Sequence, residues 1–288
     1  MRLLAALLLA VTAGAAEPPR FFLEGDGTLD VRSAHTGDRA AVRFRRADGT
    51  YDAEAIARVT RIFRSSDGRQ GEISLRLIEV LGYLQGETAV RPLVLQSGYR
   101  SPAYNEGLRA QGRQAASGSL HTEGLAADVA FPRATLDPLW HQIRDLDCCG
   151  AGLYSGNGFL HVDVGRPRFW TATTSRVDEN LSAGNARLFA RTTYDRYVGG
   201  EAVEVTLHAL TLPPVGIGHE VTVVPEHGAP VTVPLAGAAG CVAVTNGRQV
   251  LRLTAPAAPG RVRLRLATCE PRIEATPETV ETNPIEIR

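Results

Sequence analysis

Near residue 190 the hydrophobic periodicity of this 288-residue chain changes, and the change excludes a single uniform architecture. Beyond it the period is two. Val203, Val205 and Leu207 alternate with Glu204, Thr206 and His208, and Val231, Val233 and Leu235 follow the same rule. Alternation of this kind is the mark of strands with one buried face. Cys241–Val244 and Val250–Leu253 flank Asn246-Gly247, a pairing that predicts a type I′ hairpin. Several short strands separated by turns predict a small all-β sandwich over 190–288, with an immunoglobulin-like sandwich as one form it can take. Arg261, Arg263 and Arg265 share one strand face. They could grip an anionic polymer, but an outward charged face is the ordinary reading.

From Phe21 to Trp170 the pattern is mixed. Asp52 can cap a helix with the apolar face Ile56, Val59, Ile62 and Phe63. Ser74 to Gln85 repeats the pattern with Leu75, Ile78, Leu81 and Leu84. Pro92 to Leu95 reads as a short buried strand running into Ser97-Gly98-Tyr99-Arg100. Asp137-Pro138 predicts a cap with proline at the first helical position, and a helix through about Arg144. Strands and helices interleave without a regular βαβ rhythm, so an α+β domain is expected over 17–170. Residues 171–189, rich in Thr, Ser and Asn, are the expected linker.

The first 16 residues read as an export signal. Arg2 precedes an apolar run, Leu3 to Val11, and Ala13 to Ala16 supply small residues for cleavage. The run is too short for the roughly 20 apolar residues of a spanning helix. About 270 residues then remain, which agrees with two domains. Acidic and basic residues balance at 31 each, so no electrostatic footprint for nucleic acid exists. Export makes Cys241 and Cys269 a candidate disulfide. Cys148 and Cys149 are neighbours and are expected as buried thiols, and no Cys-x-x-Cys spacing suggests a zinc-cysteine site.

The chemistry gathers in three places: His121, then Asp128, then His161 with Asp163. Two imidazoles and a carboxylate are a three-ligand set for a catalytic zinc, whose fourth position is left to water. Asp128 lies in the small apolar run Ala126–Ala130, where a carboxylate is costly unless paired or metal-bound. His161 and Asp163 are two apart and share a strand face, with Leu160, Val162 and Val164 on the other. Gly124 permits the turn that brings His121 toward Asp128. His35, His141, His208, His219 and His227 lack a partner motif and read as structural or surface residues.

SGYRSPAYNEGLR (97–109), SLHTEGLAADV (119–129) and GLYSGNGFLHVDVGRPRFW (152–170) together resemble the DUF882 branch of the M15 zinc peptidases, the branch typified by murein endopeptidase K. FFLEGDGTLDVRSAHTG and ISLRLIEVLGYLQ are similar to it as well, so the resemblance spans about residues 21–170. It implies an α+β zinc-peptidase fold of the D-Ala-D-Ala carboxypeptidase/hedgehog-like type. It implies Zn2+ on His121, Asp128 and His161, and hydrolysis of stem-peptide cross-links in peptidoglycan, a substrate that favours the periplasm. It further implies that Arg100 holds substrate or stabilises the developing oxyanion, a task suited to a permanently charged guanidinium. The alternative for Arg100 is a structural ion pair.

Ser119 reads as a partner orienting a ligand, and Tyr99 as a residue near substrate. Several relatives place an acidic base three residues before the second zinc histidine, where this chain has Gly158. Asp163 is the replacement expected here, with orientation of a ligand imidazole as its other role. Glu123 is a weaker candidate. Rival functions are a D,D-carboxypeptidase trimming terminal D-alanine and a non-catalytic, zinc-containing wall-binding protein. The β-rich half could bind the wall or a protein partner.

Overall fold

In the computed structural model, which describes residues 18–113, 115–116, 118–176, 183–273 and 275–288, the mixed half forms one seven-stranded sheet. Its strands are β1 (Thr28–Ser33), β2 (Arg39–Arg43), β3 (Leu93–Ser97), β4 (Ala126–Ala130), β5 (Gly150–Tyr154), β6 (Phe159–Asp163) and β7 (Arg168–Thr171). The spatial order is β2-β1-β3-β4-β6-β5-β7. β1–β3 and β5–β7 pair in parallel and the remaining neighbours are antiparallel. The expected export signal lies outside the described residues. Among those described, no helix is long and apolar enough to cross a membrane.

Helix α1 (Ala53–Ile62) starts where the sequence predicts: the Asp52 carboxylate accepts the Ala55 N–H at 3.0 Å. Val59, Ile62 and Phe63 enter the core and Ile56 is half-buried. Helix α2 (Leu75–Thr88) packs Leu77, Ile78, Leu81 and Leu84 into the same core. Helix α3 (Pro102–Ala110) was not predicted, although its start carries a legible signal: Ser101 Oγ accepts the Tyr104 N–H, and Pro102 occupies the first turn. Helix α4 (Leu136–Asp145) begins two residues earlier than expected. Thr135 is its N-cap, so Asp137 and Pro138 lie in the first turn and Asp137 caps nothing.

The other half has two further sheets. β8 (Phe189–Thr192), β10 (Ala202–His208) and β14 (Val250–Thr254) form a three-stranded antiparallel sheet. The second contains β9 (Arg196–Tyr197), β11 (Val215–Pro225), β12 (Val231–Pro234), β13 (Cys241–Val244), β15 (Gly260–Cys269), β16 (Thr279–Glu281) and β17 (Ile285–Ile287). Val203, Val205 and Leu253 of the first meet Val221, Leu264 and Ile285 of the second in one core. Asn246-Gly247 is not a hairpin, which corrects the sequence reading. β13 pairs with β11 and β14 with β10, so the turn carries the chain from one sheet to the other. Gly247 also lacks the left-handed backbone a type I′ turn requires.

Cys241 and Cys269 are joined by a disulfide. Cys148 and Cys149 are joined as well, contrary to the expectation of buried thiols; their Cα atoms are 3.7 Å apart in the tight turn between α4 and β5. Arg261, Arg263 and Arg265 face solvent, with Arg265 paired to Glu281 at 2.8 Å and Arg263 bonded to the Thr282 carbonyl at 3.1 Å. The region expected as linker runs directly into structure, since Phe189 begins β8 and packs on the core of the mixed half.

Candidate metal centre

Neighbouring strands set two of the three candidate ligands. Asp128 on β4 and His161 on β6 are direct cross-strand partners, so their side chains rise side by side from one face of the sheet. The other face of β6 sends Leu160 and Val162 into the core, as the alternation requires. His121 comes from a short 3-10 turn, Leu120–Glu123, that ends at Gly124. Gly124 has φ +70°, and a Cβ there would lie 1.8 Å from the Glu72 carbonyl oxygen, so glycine is required twice over.

The three side chains converge on one point. His121 Nε2 lies 3.2 Å from His161 Nδ1 and 3.4 Å from Asp128 Oδ1, and His161 Nδ1 lies 2.9 Å from the same oxygen. Ligands about 2.0–2.1 Å from a tetrahedral zinc stand about 3.3 Å apart, so this donor triangle fits the ion. The tautomers agree. His121 Nδ1–H donates to the Gly98 carbonyl at 2.7 Å, which leaves Nε2 with a lone pair toward the centre. His161 Nε2–H donates to Asp163 Oδ2 at 3.1 Å, which frees Nδ1 in the same way.

Charge is arranged to match. Burial, aided by the nearby Arg100 guanidinium, pushes the His121 imidazole down to about 4. Burial also disfavours the His161 imidazolium, but Asp128 and Asp163 outweigh it and raise this group above 6.5. The Asp128 carboxyl would rise on burial alone, yet the two imidazoles hold it well below the usual range. Asp163 likewise resists burial through Arg168, His161 and the Gly165 N–H, and sits at about 2.

Several predicted residues stand elsewhere than expected. Asp163 is fully buried and accepts from His161, from the Gly165 N–H at 2.8 Å and from Arg168 at 2.8 Å. It is absent from the cleft wall, and its Oδ2 faces His161 Nε2. Arg100 bonds Asp128 Oδ2 at 2.6 Å and Ser97 Oγ at 2.9 Å, and lines the cleft beside the ligand it holds. Ser119 lines the cleft, but the bonds orienting the ligands go to Gly98, Asp163 and Arg100 instead. Tyr99 is buried with its ring filling the space above Gly71, away from the cleft. Glu123 points away from the centre and accepts from His208 Nδ1 at 2.7 Å and the Ala209 N–H at 2.8 Å.

The centre opens on a cleft of about 760 Å³. Trp170, Tyr154 and Phe159 make one wall, none of them predicted. Gly152 on β5 stands between His161 and Trp170 in register, and a Cβ there would lie 2.5 Å from the indole. The missing side chain lets the Trp170 ring lie 5.2 Å from the His161 ring, and the indole N–H bonds Tyr154 Oη at 3.1 Å. Tyr154 stacks on Phe159 at 4.9 Å. Among the described residues, Asp128 is the one carboxylate in the cleft wall.

The model of an M15 peptidase family described as Peptidoglycan L,D-endopeptidase MepK matches residues 24–170. Peptidoglycan L,D-endopeptidase MepK of Escherichia coli K12 is 33% identical over 144 residues, covering 49% of this chain and 79% of that protein. A probable peptidoglycan L,D-endopeptidase MepK of Haemophilus influenzae is 27% identical over 145 residues, covering 49% and 77%. Among solved structures, the Pseudomonas fluorescens alkylpurine DNA glycosylase AlkC bound to DNA overlaps 38% of this chain and 35% of its own at TM-score 0.23 and 15% identity, a likeness that carries no argument.

Proposed function

The chain belongs to the M15 peptidase family of peptidoglycan L,D-endopeptidases, and from that membership we propose that it is an exported, zinc-dependent peptidase hydrolysing peptide cross-links in peptidoglycan. The observation that carries the reading is the convergence of His121 Nε2, Asp128 Oδ1 and His161 Nδ1 within 3.4 Å of one another at the floor of an open cleft. A zinc ion held there would supply Lewis acidity toward a scissile carbonyl and lower the pKa of a bound water to near 7.

The chain's own residues supply the rest. Gly98 and Asp163 fix both imidazoles with a lone pair toward the centre. Arg100 holds Asp128 through an ion pair at 2.6 Å, and its guanidinium in the cleft wall is placed to meet the oxygen of a substrate carbonyl as charge develops. The aromatic wall of Trp170, Tyr154 and Phe159 gives a peptide an apolar surface beside the reacting bond. The short apolar N-terminal run supports export, and the cross-linked wall as substrate supports the periplasm as its site.

A second reading is favoured by one observation. With Asp163 locked behind His161, no carboxylate other than the ligand Asp128 stands in the described cleft wall to take a proton. A non-catalytic, zinc-containing wall-binding protein has the same geometry. Mature protein incubated with sacculi and isolated muropeptides, with zinc or chelator and products identified by mass spectrometry, separates the two. Zinc-dependent conversion of cross-linked dimers to monomers is expected. Loss of only a terminal D-alanine would show a carboxypeptidase, and binding without product, unchanged in His121→Ala, would overturn the catalytic reading.

A further inference from the structure

The β-rich half, which lies beyond the matched residues, grips the metal centre from behind at two points. The first is Glu123, two residues after His121. Both of its carboxylate oxygens are held by the end of β10: Oε2 accepts from His208 Nδ1–H at 2.7 Å and Oε1 from the Ala209 N–H at 2.8 Å. His208 is itself fixed by Thr206 Oγ1 at 3.0 Å from Nε2. These bonds anchor the C-terminal end of the one-turn segment Leu120–Glu123, whose backbone is otherwise held by the Arg100 N–H on the His121 carbonyl and by its own turn bonds.

The second point is Gly165. Its N–H donates to Asp163 Oδ1 at 2.8 Å, and Asp163 in turn holds His161 Nε2. Its carbonyl accepts from Arg191 on β8, a side chain that is 8% exposed. A Cβ on Gly165 would lie 2.6 Å from Leu120 Cδ1 and 2.7 Å from Asp163 Oδ1, so this residue touches the supports of both histidines. Other buried polar contacts join the two halves as well. Arg76 on α2 forms a buried ion pair with Asp195 and bonds the Thr192 carbonyl at 2.9 Å.

We propose that the β-rich half is a brace for the metal centre, with Glu123 and Arg191 as positioning residues that act through His121 and through Gly165, Asp163 and His161. The inference rests on the metal-binding reading above and adds what the second half does for that site. Glu123 acts through the backbone of the His121 turn and Arg191 through Gly165 and Asp163, so the expected loss is the lower end of the about 10- to 100-fold that removal of a ligand's own orienting partner brings.

The test uses the full mature chain. Zinc affinity of Glu123→Gln and Arg191→Lys is measured by competition with a chromophoric chelator, and the cobalt(II) d–d absorption reports ligand geometry independently of activity. Glu204→Gln, in the exposed cross-strand pair of Glu204 on β10 with Arg252 on β14, is the control. Each of the two variants should lose about tenfold in zinc affinity and show an altered cobalt spectrum, with the control unchanged. His208→Gln, which removes one of the two bonds to Glu123 and keeps the Ala209 N–H, carries the test if near-UV circular dichroism shows either variant unfolded. Affinity and spectrum equal to the parent in the folded variants overturn the brace, whatever the muropeptide assay shows. An inactive parent with the expected affinity losses overturns the peptidase reading and keeps the brace.

Discussion

Asp163→Asn separates orientation from proton abstraction at this centre. The carboxylate accepts from three sides: His161 Nε2 at 3.1 Å, the Gly165 N–H at 2.8 Å and Arg168 at 2.8 Å. Asparagine keeps the shape but offers one oxygen and one NH2. If the oxygen stays on the Gly165 N–H, the NH2 faces His161 Nε2 and forces that nitrogen to accept. The imidazole proton then moves to Nδ1, the atom 2.9 Å from Asp128 Oδ1 that must ligate the metal. If the amide flips, the NH2 opposes the Gly165 N–H, and the unsatisfied donor costs about 1–3 kcal/mol. In the first arrangement zinc affinity should fall about 10- to 100-fold, as for other loss of a ligand's hydrogen-bond partner, and in the second the loss appears in folding stability instead. The assay is chelator competition beside muropeptide turnover on the same preparation. A variant that binds zinc as tightly as the parent yet loses turnover by orders of magnitude would refute the orientation argument and restore Asp163 as a base. Acid stability gives an independent readout. The carboxyl sits at about 2 against an ordinary 3.8, so it contributes about 2 kcal/mol that is present above pH 4 and lost as pH falls through 2. The parent should lose that increment in acid unfolding, and the amide variant should not.

Zinc affinity should fall about tenfold per pH unit below the raised His161 pKa, which lies above 6.5, because the ligating imidazole must be neutral; His121, at about 4, adds a second proton only below that value. Titration of chelator competition from pH 8 to 5 checks the one-proton slope, and a flat profile would contradict it. Gly152→Val drives a side chain into the Trp170 indole, 2.5 Å from where its Cβ would stand, and should cost about 1–3 kcal/mol in denaturant unfolding while shifting tryptophan emission. Unchanged emission and midpoint would show that the indole is not wedged there. Replacing Cys241 and Cys269 by serine opens a cross-link between residues 28 apart and should lower stability by about 3–4 kcal/mol in the chain-entropy model, read by thermal unfolding with and without reductant.

What could be read in advance follows from how locally each feature is determined. His121, Asp128 and His161 were legible because costly polar groups stood in apolar or glycine-rich segments, and alternation on β6 put His161 opposite Leu160 and Val162. The same alternation says less about Asp163. Parity says that residues 161 and 163 share a face, but not that the cleft opens over one and closes over the other; Arg168 and Gly165 decide that from outside the strand. Glu123 failed for a related reason. In a 3-10 turn of three residues per turn, position i+2 is rotated about 120° from position i, so nearness in sequence to His121 turned the carboxylate away from the metal.

The unread part of the site lies in cross-strand contacts that no local pattern encodes. Gly152 is one of several glycines between residues 150 and 165, and nothing in its neighbours marks it as the gap between His161 and Trp170. The register of β6, β5 and β7 alone makes it so. Asn246-Gly247 shows the converse: strong local turn chemistry predicted a hairpin, and the pairing of β13 with β11 and β14 with β10 overrode it. Turn residues fix where a chain can reverse, whereas the partner strand is chosen by apolar faces far away in sequence. Tertiary pairing of the same kind places His208, a residue with no motif of its own, against Glu123. The candidate ligands of this centre are therefore written in the 24–170 stretch, but the residues that contact their supports from the other half are written 26 to 86 residues later, in strands whose own pattern speaks only of a β-sheet core.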